Sequence, residues 1–437
     1  MTTPDQEVER SGDAKQPGRG YLVLLLVAAL IGVPLSVIAF AFLAAVQELE
    51  DLVWDSLPSA LGFAEPPAWW AIPTLALAGV LVGLTVRHLP GNGGHVPAMG
   101  LAGGANPPSA VPGVVLAGGA SLVLGAVLGP EGPLIALGAG LAVFSVRRFS
   151  RLGGSDATAI LAAAGATAAI SDVFGNPLVA SILFLELLGL GRRQAMLVVL
   201  PCLASSGVGA LVFTGLGDWS GLQTGSLAIP GLAPAPLTIG DVLWSIPIGI
   251  VVAVGIWAVF LLGRRTASWV TARTMTYTIV AGIVVGGLAA VYAVTTGHSP
   301  AEVALSGQAT LETLAGDPGA WSAGALTMLL VCKGIGYGIS LGAFRGGPTF
   351  PAVFLGAVVG VLANIALPGT DFVPSLAIGM AAGTAVLGLP VTGVALVVLL
   401  MGDAAASQMP VVILAVVAAT LVHDRLTPPP RESNQAG

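Results

Sequence analysis

Apolar residues in this chain come in long unbroken runs, not in alternation. Tyr21–Val46 carries no charge over 26 residues, enough for a helix across a hydrocarbon core of about 30 Å. Similar uncharged runs are Gln194–Gly217, Val242–Gly263, Thr274–Ala301, Gly346–Thr370, Phe372–Gly402 and Ala404–His423. The pattern predicts an all-α polytopic membrane protein. A transmembrane barrel would need apolar and polar residues in alternation. The first run is too long for the core of a signal peptide, so it is read as a retained span.

The runs are broken by proline and glycine. Pro97, Pro107, Pro108, Pro112, Pro130, Pro133, Pro177, Pro348, Pro351 and Pro390 all stand within apolar sequence. Non-helical backbone at membrane depth survives only where protein buries it or where it lines a polar cavity. The breaks recur. Gly129-Pro130-Glu131-Gly132-Pro133 opens one apolar helix, and Gly175-Asn176-Pro177 opens another, 44 residues past Pro133. Later, Arg345–Pro351 opens a helix, and Gly388-Leu389-Pro390 opens its partner, 42 residues past Pro348. This spacing predicts two repeat halves, about 20–216 and 238–424, in inverted orientation.

Composition agrees. Charged residues make up 9% of the chain, hydrophobic residues 55%, and mean hydropathy is +0.93. A soluble domain carries about 25% charged residues, so soluble classes are excluded. A pI of 5.2 without a basic tract excludes nucleic-acid binding. Cys202 and Cys332, both in apolar stretches, are read as buried thiols and not a disulfide framework. The polar ends, 1–19 and 425–437, are read as tails. Arginines gather at Arg10/Arg19, Arg147/Arg148/Arg151, Arg192/Arg193, Arg264/Arg265/Arg273 and Arg425/Arg431, and acids at Glu48–Glu65. The positive-inside rule then places both termini in the cytoplasm, with the chain in the cell membrane.

One charge stands apart. Between Arg87 and Arg147, Glu131 is the only acidic or basic side chain apart from two histidines. An ionisable group inside a membrane is a functional candidate by default. Glu131 falls in the first turn of a helix, where free N–H groups and the dipole attract anions. Its carboxylate can fill that site itself, and protonation or displacement would open it to a permeant anion. The bland alternative is a capping carboxylate. The breaks at Gly91–Pro97 and Gly346–Pro351 are expected to add further helix N-termini around one point, which suits a small anion. A cation pore would want carbonyls or acidic rings.

These motifs resemble the signature regions of the CLC family of chloride channels and transporters, and the resemblance covers about 20–424. It most resembles a divergent bacterial-type member without a C-terminal cytosolic domain. Pro130 replaces an arginine usual in the first signature, and Phe350 is displaced within the third. The resemblance implies two inverted halves of broken, tilted helices and a homodimer with one pore per subunit, its contact near Pro177–Gly217 and Val373–Gly402. Glu131 matches the gating glutamate. Asn92, Gly93, Gly94, Gly132, Gly347, Thr349 and Phe350 fall at anion-binding positions, with Asn92 or Gly94 where a pore serine would stand. Pro348 lacks an N–H where the family often has an anion-binding amide. Glu186 matches a common glutamate. Leu187 stands at the proton-coupling position of antiporters and Ala404 at the pore tyrosine, so both functions are expected to be lost.

Other candidates have ordinary readings beside the functional ones. Lys333 and Arg345 could draw anions to a vestibule, or snorkel or pair with an acid. Asp172 and Glu186 are expected to pair with Arg192 and Arg193. His95 is a loop histidine, and Tyr337 is expected to pack. No phosphate loop, metal spacing or cofactor motif is present. The reading is transmembrane permeation of chloride or another small anion, gated by Glu131, with weak or no proton coupling and no enzymatic reaction. Proton/chloride antiport is the alternative, with fluoride transport behind it because Pro133 follows Glu-Gly. An intramembrane hydrolase would need Asp172 and Asp403 to form a dyad.

Overall fold

The computed structural model describes residues 19–101, 107–149, 155–171, 173–189, 192–221 and 228–427. Within them the protein is helical, with no strand beyond one isolated antiparallel bridge. The first half contains α1 (Arg19–Asp51, continued through a π turn to Ala60), α2 (Ala71–His88), α3 (Val111–Val123) and α4 (Glu131–Phe149). It goes on with α5 (Ser155–Ala169), α6 (Pro177–Leu188) and α7 (Arg192–Ser220). The second contains α8 (Ile239–Ala272), α9 (Thr274–Thr296), α10 (Gln308–Gly316) and α11 (Ala323–Ala343). It ends with α12 (Thr349–Ala366), α13 (Phe372–Ala385), α14 (Pro390–Met401) and α15 (Ala405–Leu426). Eight helices among the described residues are long and apolar enough to span a membrane. The run Phe372–Gly402 is not one of them. It folds as two half-helices, because Gly388 takes a positive φ of 76° and Pro390 can only start a helix.

The packing is written twice. α1 packs on α7 and α5, as α8 packs on α15 and α13. α4 packs on α5 as α12 does on α13, and α6 on α7 as α14 does on α15. Interior prolines match too: Pro34 and Pro201 in α1 and α7, Pro247 and Pro410 in α8 and α15. The halves run in opposite senses. α1 and α7 begin at arginines, Arg19 and Arg192, whereas α8 and α15 end near Arg264 and Arg425. One face is therefore rich in arginine. The other carries Glu48, Glu50, Asp51, Asp55 and Glu65.

Small residues set the closest crossings. α2 and α9 meet through Gly79-x-x-x-Gly83 and Gly282-x-x-x-Gly286: a Cβ at Gly286 would lie 2.6 Å from the Ile72 Cα. α12 and α13 meet through Gly356-x-x-x-Gly360 and Gly379-x-x-x-Gly383, each glycine against a backbone carbonyl of the other helix or its neighbour. In lipid, such close backbone packing replaces the hydrophobic drive that water supplies. The result surrounds α12 and α13 with protein. Twelve α13 residues are buried, so the expected dimer contact cannot run along Val373–Ala385. α14 is the part of that stretch with a large exposed apolar residue, Val391. Cys202 and Cys332 are free and buried.

Candidate functional site

The first and third breaks meet at the centre. Gly129 and Gly347 form the antiparallel bridge, with N–H···O distances of 2.8 and 2.6 Å. Each stands just before the helix that its break opens, so the bridge brings the N-termini of α4 and α12 together. Glu131 is fully buried there. The Thr349 N–H donates to Glu131 Oε1 at 2.5 Å. The carboxyl lies between two glycines, since a Cβ at either Gly129 or Gly347 would collide with it. Gly132 lies against the Gly346 carbonyl, again with no room for a Cβ. Phe350 stacks on Phe174, ring centroids 5.7 Å apart. Five of the expected residues, Glu131, Gly132, Gly347, Thr349 and Phe350, thus share one place.

Two polar atoms in this place have no hydrogen-bond partner: Glu131 Oε2 and Thr349 Oγ1. A buried polar atom left unsatisfied costs about 1–3 kcal/mol. The Thr349 hydroxyl is a spare donor beside a spare acceptor, at a point where two helix N-termini favour negative charge. Tyr337, fully buried in α11, donates its OH to the Pro348 carbonyl at 2.5 Å and so braces the start of α12.

The chain neighbours of Glu131 line two cavities. One, of about 680 Å³, is lined by Leu128 and Pro130 together with Glu50, Asp55, Glu302 and Glu312. The other, of about 20 Å³, is lined by Gly132, Pro133, Ile135 and Ala136 together with Gly93, Gly94, His95, Arg345 and Gly346. α4 runs from Glu131 to Arg147 and Arg148, so the second cavity lies on the arginine side of the carboxylate.

Gly93 and Gly94 line this smaller cavity, and Asn92, just before them, does not. Gly91, Asn92, Gly93 and Gly94 all have positive φ, 81°, 52°, 71° and 100°. Four such residues in a row explain the Gly-Asn-Gly-Gly sequence, since other side chains resist that region. The loop does not open a helix as expected. It leads into a single turn, Pro97–Met99, too short to carry a helix N-terminus. Asn92 is exposed, and its main-chain oxygen accepts from Arg345 Nε and Nη2, both at 3.3 Å.

Other expectations change. Lys333 neither snorkels nor meets an acid in an ion pair. It is fully buried, and its Nζ donates to the carbonyls of Glu302, Val303, Ala304 and Leu305 at 2.9–3.2 Å. It also lies 5.1 Å from the Phe354 ring centroid. Glu186 takes the N-terminus of α14: Val391 N and Thr392 N each donate to it at 2.7 Å, and Thr392 Oγ1 at 2.5 Å. Leu187 is half-buried beside it. Ala404 is buried at the far end of α14, just beyond the point where Leu400 bonds Ile229. Leu400 and Ile229 line a pocket with Gly307, Glu312 and Phe350. Asp172 lies outside the described residues, and Asp403 is exposed. Nothing in the sequence signalled the Arg345–Asn92 or Lys333–carbonyl contacts, since both join segments distant along the chain.

Comparison with known proteins matches this geometry. The sequence profile of the family described as "Voltage gated chloride channel" matches residues 78–424. "Putative ion-transport protein YfeO" of Escherichia coli O6:H1 is 30% identical over 379 residues, 85% of this chain and 84% of that protein. Its namesake in Escherichia fergusonii is 30% identical over 378 residues, with the same coverage. Among solved structures, a slow cyanobacterial Cl⁻/H⁺ antiporter superposes with a TM-score of 0.70 at 18% identity, covering 93% of this chain and 95% of that one. A CLC-type fluoride/proton antiporter gives 0.65 at 19%, covering 93% and 98%. A eukaryotic CLC transporter gives 0.68 at 17%, covering 93% and 72%. At these identities the structures speak to the fold alone.

Proposed function

The chain belongs to the voltage gated chloride channel family, and from that premise we propose that it carries chloride or a similar small anion down its gradient, with Glu131 as the gate. The observation that supports this most is the place of the Glu131 carboxylate. It plugs a site made by the α4 and α12 N-termini, between two cavities, while a buried Thr349 hydroxyl beside it stays unpaired. When the carboxylate is protonated or swings away, the Thr349 N–H and Oγ–H and the dipoles of both helices are left for an anion. Asn92, Gly93 and Gly94 belong to the approach on the arginine side.

In this reading the arginine-rich face is cytoplasmic, the chain sits in the cell membrane, and two copies pair, with exposed Leu178, Met196, Leu197, Leu200 and Val391 toward the partner. The reaction is transport, with no covalent step and no cofactor. Proton coupling is weak or absent, because Leu187 offers no carboxyl on the inward side and Glu186 is committed to capping α14. Two of the solved proteins sharing this fold are named as proton antiporters, so antiport is the reading to test against. Purified protein in liposomes, under a chloride gradient with pH followed at the same time, separates them. Chloride flux with little proton movement is expected. Sustained uphill proton pumping would overturn the uncoupled mechanism, and no anion flux with chloride, nitrate or fluoride would overturn the function itself.

A further inference from the structure

The peptide between Pro348 and Thr349 is gripped at both ends. Its N–H donates to Glu131 Oε1 and its carbonyl accepts from the Tyr337 OH, each at 2.5 Å. A trans peptide unit is planar, so these two groups point in opposite directions. Tyr337 and Glu131 therefore lie on opposite sides of one amide and share it. Pro348 has no N–H of its own, which makes the Thr349 N–H the first donor of α12.

Tyr337 is fixed in this contact. It is fully buried in α11, and its ring meets Phe260 of α8 edge-on, centroids 6.2 Å apart. Solvent does not reach the hydroxyl to compete for it. One turn later in α11, Ser340 Oγ accepts from Val127 N at 3.3 Å, two residues before Gly129. α11 thus holds both segments of the central bridge, each through one hydroxyl. Packing alone would brace the start of α12. A hydroxyl in line with the donor to Glu131 does more, because hydrogen bonds in a chain polarise one another, by about 10–30% per bond.

We propose that Tyr337 is a positioning residue of the Glu131 gate: through the Pro348–Thr349 peptide its hydroxyl aims and strengthens the N–H that the carboxylate grips, and so sets the pH at which the gate opens. This rests on the reading of Glu131 as the gate and adds what fixes its threshold. The bond from Thr349 N is stronger to a carboxylate than to a carboxylic acid, so whatever strengthens it favours the closed, charged plug. A halide is larger and more diffuse than a carboxylate oxygen and gains less from the same donor. Removing the Tyr337 hydroxyl therefore loosens the plug, and the gate opens at higher pH. The other titratable and charged groups around Glu131 are Arg345 in the third break, His95 in the smaller cavity, and Glu50, Asp55, Glu302 and Glu312 in the larger one. Lys333, one turn before Tyr337, is held by carbonyls. Among the described residues none of these bonds the Tyr337 hydroxyl, whose partner is the Pro348 carbonyl, so a change there leaves them in place.

Chloride efflux from liposomes, measured against pH at fixed chloride, tests this. Tyr337→Phe keeps the ring and its packing and removes only the hydroxyl. Its midpoint should rise by about half a pH unit, roughly a threefold change in the balance between closed and open gate. A ring-fluorinated tyrosine at position 337, a stronger donor of nearly the same shape, should move the midpoint the other way. A Tyr337→Phe midpoint within about 0.2 unit of wild type, or two shifts of the same sign, would overturn the proposal. If Tyr337 only braces α12, Tm in detergent falls while the midpoint stays, and the proposal fails. Should Tyr337→Phe not fold, the fluorinated protein decides alone: a lowered midpoint supports the proposal and an unchanged one sinks it. Failure of the gating reading looks different, because wild-type flux would then be absent or independent of pH.

Discussion

Replacing Glu131 with Gln keeps the shape of the side chain and removes its charge. The wild-type plug is held by one charge-assisted bond from Thr349 N, worth about 1.5–3 kcal/mol, and by the helix dipoles, about 0.3–1 kcal/mol each at an exposed end and up to about 2 when partly buried. Against this stand the orphaned Oε2, at about 1–3 kcal/mol, and the burial of the charge. The plug is thus a small difference between terms of similar size. The amide oxygen still accepts from Thr349 N, so the loss of charge assistance removes about 1–1.5 kcal/mol of it and should raise anion occupancy of the site roughly five- to tenfold. Chloride efflux from liposomes, measured across pH 4.5–8 for wild type and Glu131→Gln, reads this directly. The wild-type flux should rise as pH falls, and the Gln variant should be fast and nearly flat. A well-folded Gln variant with the wild-type pH profile would refute the gating role. A variant that loses folded protein while its remainder keeps the pH response would point to a capping carboxylate instead.

Four further outcomes follow from other contacts. Glu186→Gln should lower thermal stability by about 1–3 kcal/mol, by weakening three charge-assisted bonds at the start of α14, with no change in the proton-to-chloride ratio; a changed ratio would give Glu186 a transport role. Lys333→Met should cost at least about 2 kcal/mol by orphaning four carbonyls, visible as a lower Tm in detergent. Burial pushes the Glu302 carboxyl upward, against the opposing pull of Tyr292 and His298. The folded state then holds its proton to higher pH than the unfolded chain, so this group's contribution is present below about pH 4.3 and fades as pH rises past its raised value. Glu302→Gln should flatten that part of a stability-versus-pH curve. Asp55→Asn with Glu312→Gln should speed anion entry from the acidic side at low salt and change little at high salt, where the vestibule's field is screened.

The frame was legible from sequence because its causes are local. Uncharged runs set the spans, and a Gly-Pro or Gly-Asn-Pro break must end one helix and start the next. The break spacing foretold the duplicated packing, and the isolation of Glu131 among apolar residues marked the residue that the fold buries where two breaks meet. What failed depended on distant pairing. Gly91–Gly94 looked like a helix start because glycine before proline commonly is one, whereas its work is a left-handed loop that turns the Asn92 carbonyl to Arg345. Lys333 was read by its charge, but its partners are carbonyls more than 27 residues away.

The charges along the path have an order, and the order has a consequence. An acidic vestibule, a buried carboxylate and a buried guanidinium follow one another from one face to the other. An anion arriving from the acidic side meets repulsion first and the Glu131 charge second. One arriving from the arginine side meets Arg345 before either. Coulomb terms between such groups run to about 1 kcal/mol in water at 4 Å and several times that where water is scarce. The two directions therefore differ most in their entry steps, while the central barrier is common to both. In the proposed mechanism, protonating Glu131 lowers that shared barrier without touching the asymmetry. The pH response thus belongs to the gate and the directional preference to the flanking charges, so a variant in one set should leave the other's signature in place.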